Sequence, residues 1–158
     1  MVGIIIGFCI QMDLLVNGNK IIMTIYVTCG LPGSGKTTLS IKMSKKYNLN
    51  RYSWDELKGI MRLQEIYDNI IYDINHNTDV ILDYIFLTTD ARLRLLDKIK
   101  ELDCKKILLV LNTPLEECLI RNRNSDRDHH LADGHIKLLN KRYQPPSLDE
   151  GWDDIIYI

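Results

Sequence analysis

The chain has 158 residues, 46% hydrophobic and 26% charged, which suits one soluble globular domain with a sizeable core. Its net charge of −1 supplies no global basic field, so a nucleic-acid partner would have to be held by a local patch. The four cysteines, Cys9, Cys29, Cys104 and Cys118, lack metal-ligand spacing and suit a reducing, cytoplasmic setting, and no apolar run is long enough to span a membrane.

Residues 1–20 are apolar but short, and no basic residue precedes the apolar run, so a secretory signal is not expected. They read as an extension of a core domain spanning residues 21–158, with an alternative translation start as one origin. Asn17-Gly18 leaves a small hairpin and an extra edge strand as the competing reading. The run from Ile21 to Thr28 is rich in β-branched and aromatic residues and reads as a buried strand. Thr38 to Lys46 reads as a helix. Asn50 to Trp54 is a short strand candidate. Apolar residues then recur at helical spacing from Leu57 through Ile66, Ile70 and Ile74, predicting one amphipathic helix to about Asn75 with a kink near Gly59.

Asp79 to Tyr84 is a third strand. Thr88 or Thr89 caps a helix with Leu93, Leu96, Ile99 and Leu102 along one side. Lys106 to Leu111 is a continuous apolar run, as a strand buried on both faces should be. Thr113-Pro114-Leu115-Glu116 reads as a capping box with proline at the first helical position. Leu131 to Tyr143 is a last helix stopped by Pro145-Pro146, and Asp154 to Ile158 is a fifth strand. Strands and helices alternate throughout, which predicts an α/β fold with a doubly wound parallel sheet.

Between the first strand and helix lies Gly30-Leu31-Pro32-Gly33-Ser34-Gly35-Lys36-Thr37, which fits G-x-x-x-x-G-K-[ST], the P-loop pattern, in the strand-loop-helix context the motif requires. Glycines let the backbone curl so that several N–H groups point at one phosphate group, and the helix N-terminus adds positive potential there. Lys36 would reach the outer phosphates and Thr37 would offer its hydroxyl to Mg²⁺. The expected nucleotide-binding set is Gly30, Pro32, Gly33, Ser34, Gly35, Lys36, Thr37 and Thr38.

In an open parallel sheet, ligands bind at the carboxyl ends of the strands. Asp55 follows the second strand and is placed to orient an acceptor hydroxyl or to serve as an ordinary helix N-cap. Asp83 ends the third strand beside the P-loop and is placed to hold a Mg²⁺-bound water or to be a solvated strand end. Arg121, Arg123 and Arg127 fall within seven residues. They would neutralise transition-state charge from a mobile segment, or form a solvated face paired with Asp126 and Asp128. His129, His130 and His135 show no metal spacing and read as an exposed polar turn.

Taken together, these segments resemble the P-loop kinases of the polynucleotide 5′-hydroxyl kinase type and their small ATP-binding relatives. The likeness covers about Ile21 to Ile158 and rests on Thr28–Thr37, on Ser53-Trp54-Asp55-Glu56-Leu57-Lys58, and on Asn112–Arg123 with Arg142-Tyr143-Gln144-Pro145-Pro146 and Glu150-Gly151-Trp152-Asp153-Asp154. It implies strand order 2-3-1-4-5 with a helical lid, ATP as donor, Mg²⁺ as cofactor, Asp55 as base, and Arg121 with Arg123 or Arg127 as lid arginines. The chain departs from the family's pattern in its acceptor half. Lys58 stands where an arginine is usual, Tyr84-Ile85-Phe86-Leu87 replaces an Asp-x-Asn-Leu-like turn, and only 27 residues separate Asp55 from Asp83. The implied function is an ATP-dependent kinase acting on a hydroxyl of a nucleic-acid 5′ end, a nucleoside or a small metabolite. The alternative is an ATP-binding or ATP-hydrolysing regulatory module without a dedicated acceptor.

Overall fold

The computed structural model describes residues 22–57, 63–125 and 130–158. The expected N-terminal extension and its hairpin, together with Lys58, Gly59, Asp126, Arg127, Asp128 and His129, lie outside the described residues.

Five strands, β1 (Met23–Cys29), β2 (Asn50–Ser53), β3 (Val80–Asp83), β4 (Cys104–Val110) and β5 (Asp154–Tyr157), form one sheet in the order β2-β3-β1-β4-β5. Every pairing is parallel, with Ile25 opposite Val80 on one side of β1 and Lys106 on the other. The helices are α1 (Lys36–Tyr47), α2 (Trp54–Leu57), α3 (Leu63–Asn75), α4 (Thr89–Ile99), α5 (Leu115–Arg123) and α6 (Asp133–Lys141). The expected doubly wound sheet is therefore present. No helix among the described residues is long and apolar enough to cross a membrane.

All seven residues of β1 are buried because both faces of the sheet are covered. Its alternating side chains feed two cores. Ile25 and Val27 join Ile66, Ile70, Leu95 and Ile99 of α3 and α4, while Tyr26 joins Met43 and Leu49 beside α1. Each fully buried Ile or Leu contributes about 1.5–3 kcal/mol relative to exposure.

The helix expected from Leu57 is described as α3 from Leu63 to Asn75, and its junction with α2, with the kink expected near Gly59, lies outside the described residues. Three local expectations are corrected. Trp54, read as a strand end, opens α2, whose first turn carries Asp55 and Glu56, favourable at a helix N-terminus. In α4 the inward stripe is Arg92, Leu95, Leu96 and Ile99, whereas Leu93 is exposed. Arg92 is completely buried because its guanidinium meets Glu150 bidentately, at 2.7 Å on both oxygens. The expected capping box before α5 does not form. Pro114 stands at the N-cap, and the Thr113 hydroxyl donates instead to the Ser34 carbonyl at 2.9 Å. Thr88 caps α4 as expected, accepting from Ala91 N.

Candidate functional site

The loop from Gly30 to Gly35 turns the chain from β1 into α1. Gly33 and Gly35 take left-handed backbone angles (φ 83° and 101°). At Gly33 a Cβ atom would sit 2.3 Å from the Cys118 carbonyl oxygen, so only glycine lets the loop pass beneath α5. Gly35 caps α1 without any side-chain hydrogen bond, which leaves the first-turn amides directed into the loop. Ser34 Oγ is buried and has no hydrogen-bond partner among the described residues. Lys36 is buried, and its Nζ donates to the Leu31 carbonyl at 2.7 Å.

A groove of about 700 Å³ runs over this loop. Residues 32–38 line it, together with Asp55 on α2, Asp83 at the end of β3, and Arg121, His135 and Leu139 of the α5–α6 pair. The structure thus brings Pro32, Gly33, Ser34, Gly35, Lys36, Thr37, Thr38, Asp55, Asp83 and Arg121 to one place. Gly30 stands behind the groove, its N–H donating to the Ile85 carbonyl at 3.3 Å. Arg121 Nη1 would lie 3.8 Å from a Cβ placed on Gly35, so this guanidinium hangs over the start of α1, and it also pairs with Glu117.

Arg123 does not line the groove. It pairs with Asp133 and, with buried Asn122 donating to the Leu131 carbonyl at 2.8 Å, joins α5 to the start of α6. Arg127 lies outside the described residues.

Asp55 is exposed in the first turn of α2 rather than at an N-cap. Asp83, by contrast, is buried, not a solvated strand end. Its Oδ2 accepts from Arg51 Nη2 at 2.8 Å and lies 3.0 Å from Ser40 Oγ. Ser40 Oγ is also 3.0 Å from the Thr37 carbonyl and accepts from Arg51 Nε at 2.7 Å. Its single proton serves one of its two acceptors at a time. Arg51 further engages Glu56 through both terminal nitrogens, at 2.8 and 3.0 Å. Burial acts to lower the Arg51 pKa, and the hydrogen bonds and charges of Glu56 and Asp83 outweigh it and hold it raised. Sequence reading missed Arg51. Its only local signal is a charged residue inside a short strand of a buried parallel sheet.

The turn after β3 was also illegible. Thr28 Oγ1 accepts from Tyr84 N at 3.1 Å, and Arg92 Nη1 and Cys29 Sγ both donate to the Phe86 carbonyl, at 3.1 and 3.3 Å. Phe86 is held at φ 30°, a rare angle for a bulky residue. Burial pushes the Cys29 thiol up to about 11. Burial, followed by the charge of Asp55, raises the Tyr84 phenol.

The loop fits a triphosphate: its glycines allow a backbone curl that a Cβ at Gly30 or Gly33 would obstruct, and Ser34 Oγ is a buried polar atom with no partner among the described residues. Thr37 and Asp83 offer the hard oxygen donors that suit Mg²⁺. No group of three or more His, Cys, Asp or Glu side chains poised for a metal occurs among the described residues.

Among curated proteins no sequence matches this chain. Solved structures share its fold. A fungal RNA kinase superposes with a TM-score of 0.65 at 19% identity, over 86% of this chain and 73% of its own. Kti12 from Chaetomium thermophilum, in complex with ADP-AlF3, gives 0.66 at 19% identity, over 85% and 88%. A gluconokinase from Sinorhizobium meliloti 1021 gives 0.59 at 14%, over 89% and 83%. The family described as AAA domain matches residues 25–146, most of the described core. With its P-loop, all-parallel sheet and kinase-like strand order, the chain belongs to this AAA-domain family of P-loop proteins and shares the fold of the small P-loop kinases.

Proposed function

We propose that this protein is an ATP-dependent kinase that transfers the γ-phosphoryl group to a hydroxyl acceptor. The observation that carries the reading is the single groove that gathers Lys36 and Thr37 of the P-loop, Asp55, Asp83 and Arg121. Phosphoryl transfer asks a protein for positioning and for charge neutralisation, and this set supplies both. Thr37 and Asp83 would hold a nucleotide-bound Mg²⁺, which would supply positive charge against the phosphates.

Loop amides and Lys36 bind the β- and γ-phosphates, and Arg121 faces the charge that grows in the transition state. Asp55 orients the acceptor hydroxyl and takes its proton as the oxygen bonds to the γ-phosphorus. The bond from that phosphorus to the bridging oxygen breaks, and ADP leaves with its electron pair. Arg123 has a structural role on this reading.

The test is a screen with γ-labelled ATP across oligonucleotides, nucleosides and sugars, paired with Asp55→Asn. Transfer to at least one acceptor, lost in Asp55→Asn while ATP binding persists, supports the kinase. Labelling of no acceptor by a protein that hydrolyses ATP would identify a regulatory ATPase instead.

A further inference from the structure

A second cavity, of about 620 Å³, opens between α3 and α4 on the far side of Trp54 and Tyr84. These two rings line it and the P-loop groove alike, so the cavities adjoin along that pair. Its walls are apolar and aromatic. Trp54 meets Tyr84 edge to face at 5.8 Å, Tyr84 meets Phe86 likewise at 5.2 Å, and Tyr67 and Leu82 complete the interior. Volume and lining fit a small-molecule site.

Two features speak for a built site rather than a packing gap. Phe86 holds an unfavourable φ of 30°, and a buried guanidinium, that of Arg92, is bonded to its carbonyl. Strain of this kind persists only where the surroundings over-determine it. In addition, Asp55 directly follows Trp54 in the chain and lines the adjoining groove, so an acceptor seated here would present a hydroxyl toward the carboxylate.

Resting on the kinase reading above, we infer that this cavity seats the flat heteroaromatic ring of a free nucleoside whose sugar hydroxyl is the phosphoryl acceptor. Aromatic walls reward a π-face and stack on any base. A sugar acid has no flat π-face to offer the aromatic walls, and Arg94, a partner for its carboxylate, is already paired with Asp90. The charged residues at the mouth are Asp90 and Asp97 against Arg94 and Lys98. Among the described residues this balance of signs offers no basic track for a phosphate backbone, which favours a free nucleoside over a chain end.

The test uses the full chain. Adenosine, guanosine, cytidine and uridine are compared with gluconate, glycerol and a 5′-hydroxyl DNA oligonucleotide, as acceptors from γ-labelled ATP and as ligands in calorimetric titration. Nucleosides should exceed gluconate and glycerol at least tenfold in kcat/KM and match or exceed the oligonucleotide. Filling the cavity from α4 with Ala91→Leu and Ala91→Phe should weaken nucleoside binding by about 10-fold and 100-fold, relative to ATP binding by the same variant. General misfolding would lower both affinities together. Preference for gluconate, glycerol or the oligonucleotide, or an unchanged affinity ratio in both variants, overturns the inference while leaving the kinase intact. Nucleoside binding that obeys the Ala91 series without any transfer would keep the site and refute the kinase.

Discussion

Arg51 on β2 donates to Asp83 at the end of β3 at 2.8 Å, and the same guanidinium grips Ser40 of α1 and Glu56 of α2. One side chain therefore ties the carboxylate beside the P-loop to the short helix that carries Asp55. Removing it would leave Asp83 buried without its cation. Arg51→Met is expected to lower the unfolding free energy by about 3–5 kcal/mol. Glu56 is mostly exposed (58% for its side chain), and Glu56→Gln is expected to cost under about 1 kcal/mol. Urea denaturation of both variants checks this, and equal losses would show that Asp83 does not depend on Arg51.

Gly33→Ala is expected to damage the nucleotide loop from two directions. The backbone stands at φ 83°, and the new methyl would meet the Cys118 carbonyl at 2.3 Å. Strain of about 1–3 kcal/mol and at least tenfold weaker ATP binding should follow. Gly134→Ala is the internal contrast. It lies within α6 with nothing within 4 Å of its Cβ position, and alanine there should stabilise by about 0.5–1 kcal/mol. Thermal melts with and without ATP read both effects.

Lys36→Ala should reduce kcat/KM for ATP by about 100-fold or more, the scale on which one preorganised donor acts. Lys36→Arg should not restore it, because the buried stem reaching Leu31 O accommodates a compact ammonium rather than a planar fork. Unchanged ATP affinity and turnover in Lys36→Ala would remove the P-loop from the proposed function.

The Arg92–Glu150 pair should give the fold an acid-sensitive limb. Burial pushes the Glu150 carboxyl up, but Arg92, Trp152 and the Ser147 backbone outweigh it, and the net pKa is lowered. A carboxylate whose pKa is lower folded than unfolded adds stability above its unfolded value, and loses it as pH falls through its folded value. The melting temperature should therefore decline below the ordinary glutamate range. Glu150→Gln should be less stable than wild type at pH 7, with the gap narrowing toward pH 3. A gap that stays constant across this range would contradict the ion pair.

Much of the fold was legible because its signals are local. Apolar and β-branched runs identified β1, β3 and β4 as strands, the last as one buried on both faces, and Thr88 announced the start of α4. Two of the errors share one cause. Leu93 matched the inward spacing of α4, yet the inward position is Arg92, whose partner Glu150 stands 58 residues away. Thr113 matched a capping box, yet its hydroxyl bonds to a P-loop carbonyl 79 residues away. Periodicity and cap patterns weigh neighbours in sequence and carry no information about such partners.

The candidate site divides in the same way. Gly33, Gly35, Lys36 and Thr37 were readable because the loop makes its cradle from its own backbone, and the spacing of residues within eight positions is enough to specify that geometry. The sequence alone therefore determined that this chain folds around a P-loop in an alternating α/β order. Tertiary structure decided that Arg121 overhangs the loop while Arg123 joins two helices, that Arg51 holds Asp83, and that Trp54, Tyr84 and Phe86 wall a cavity beside Asp55. Those relationships depend on how separate strands and helices meet, and long-range packing sets that rather than any local preference of the chain.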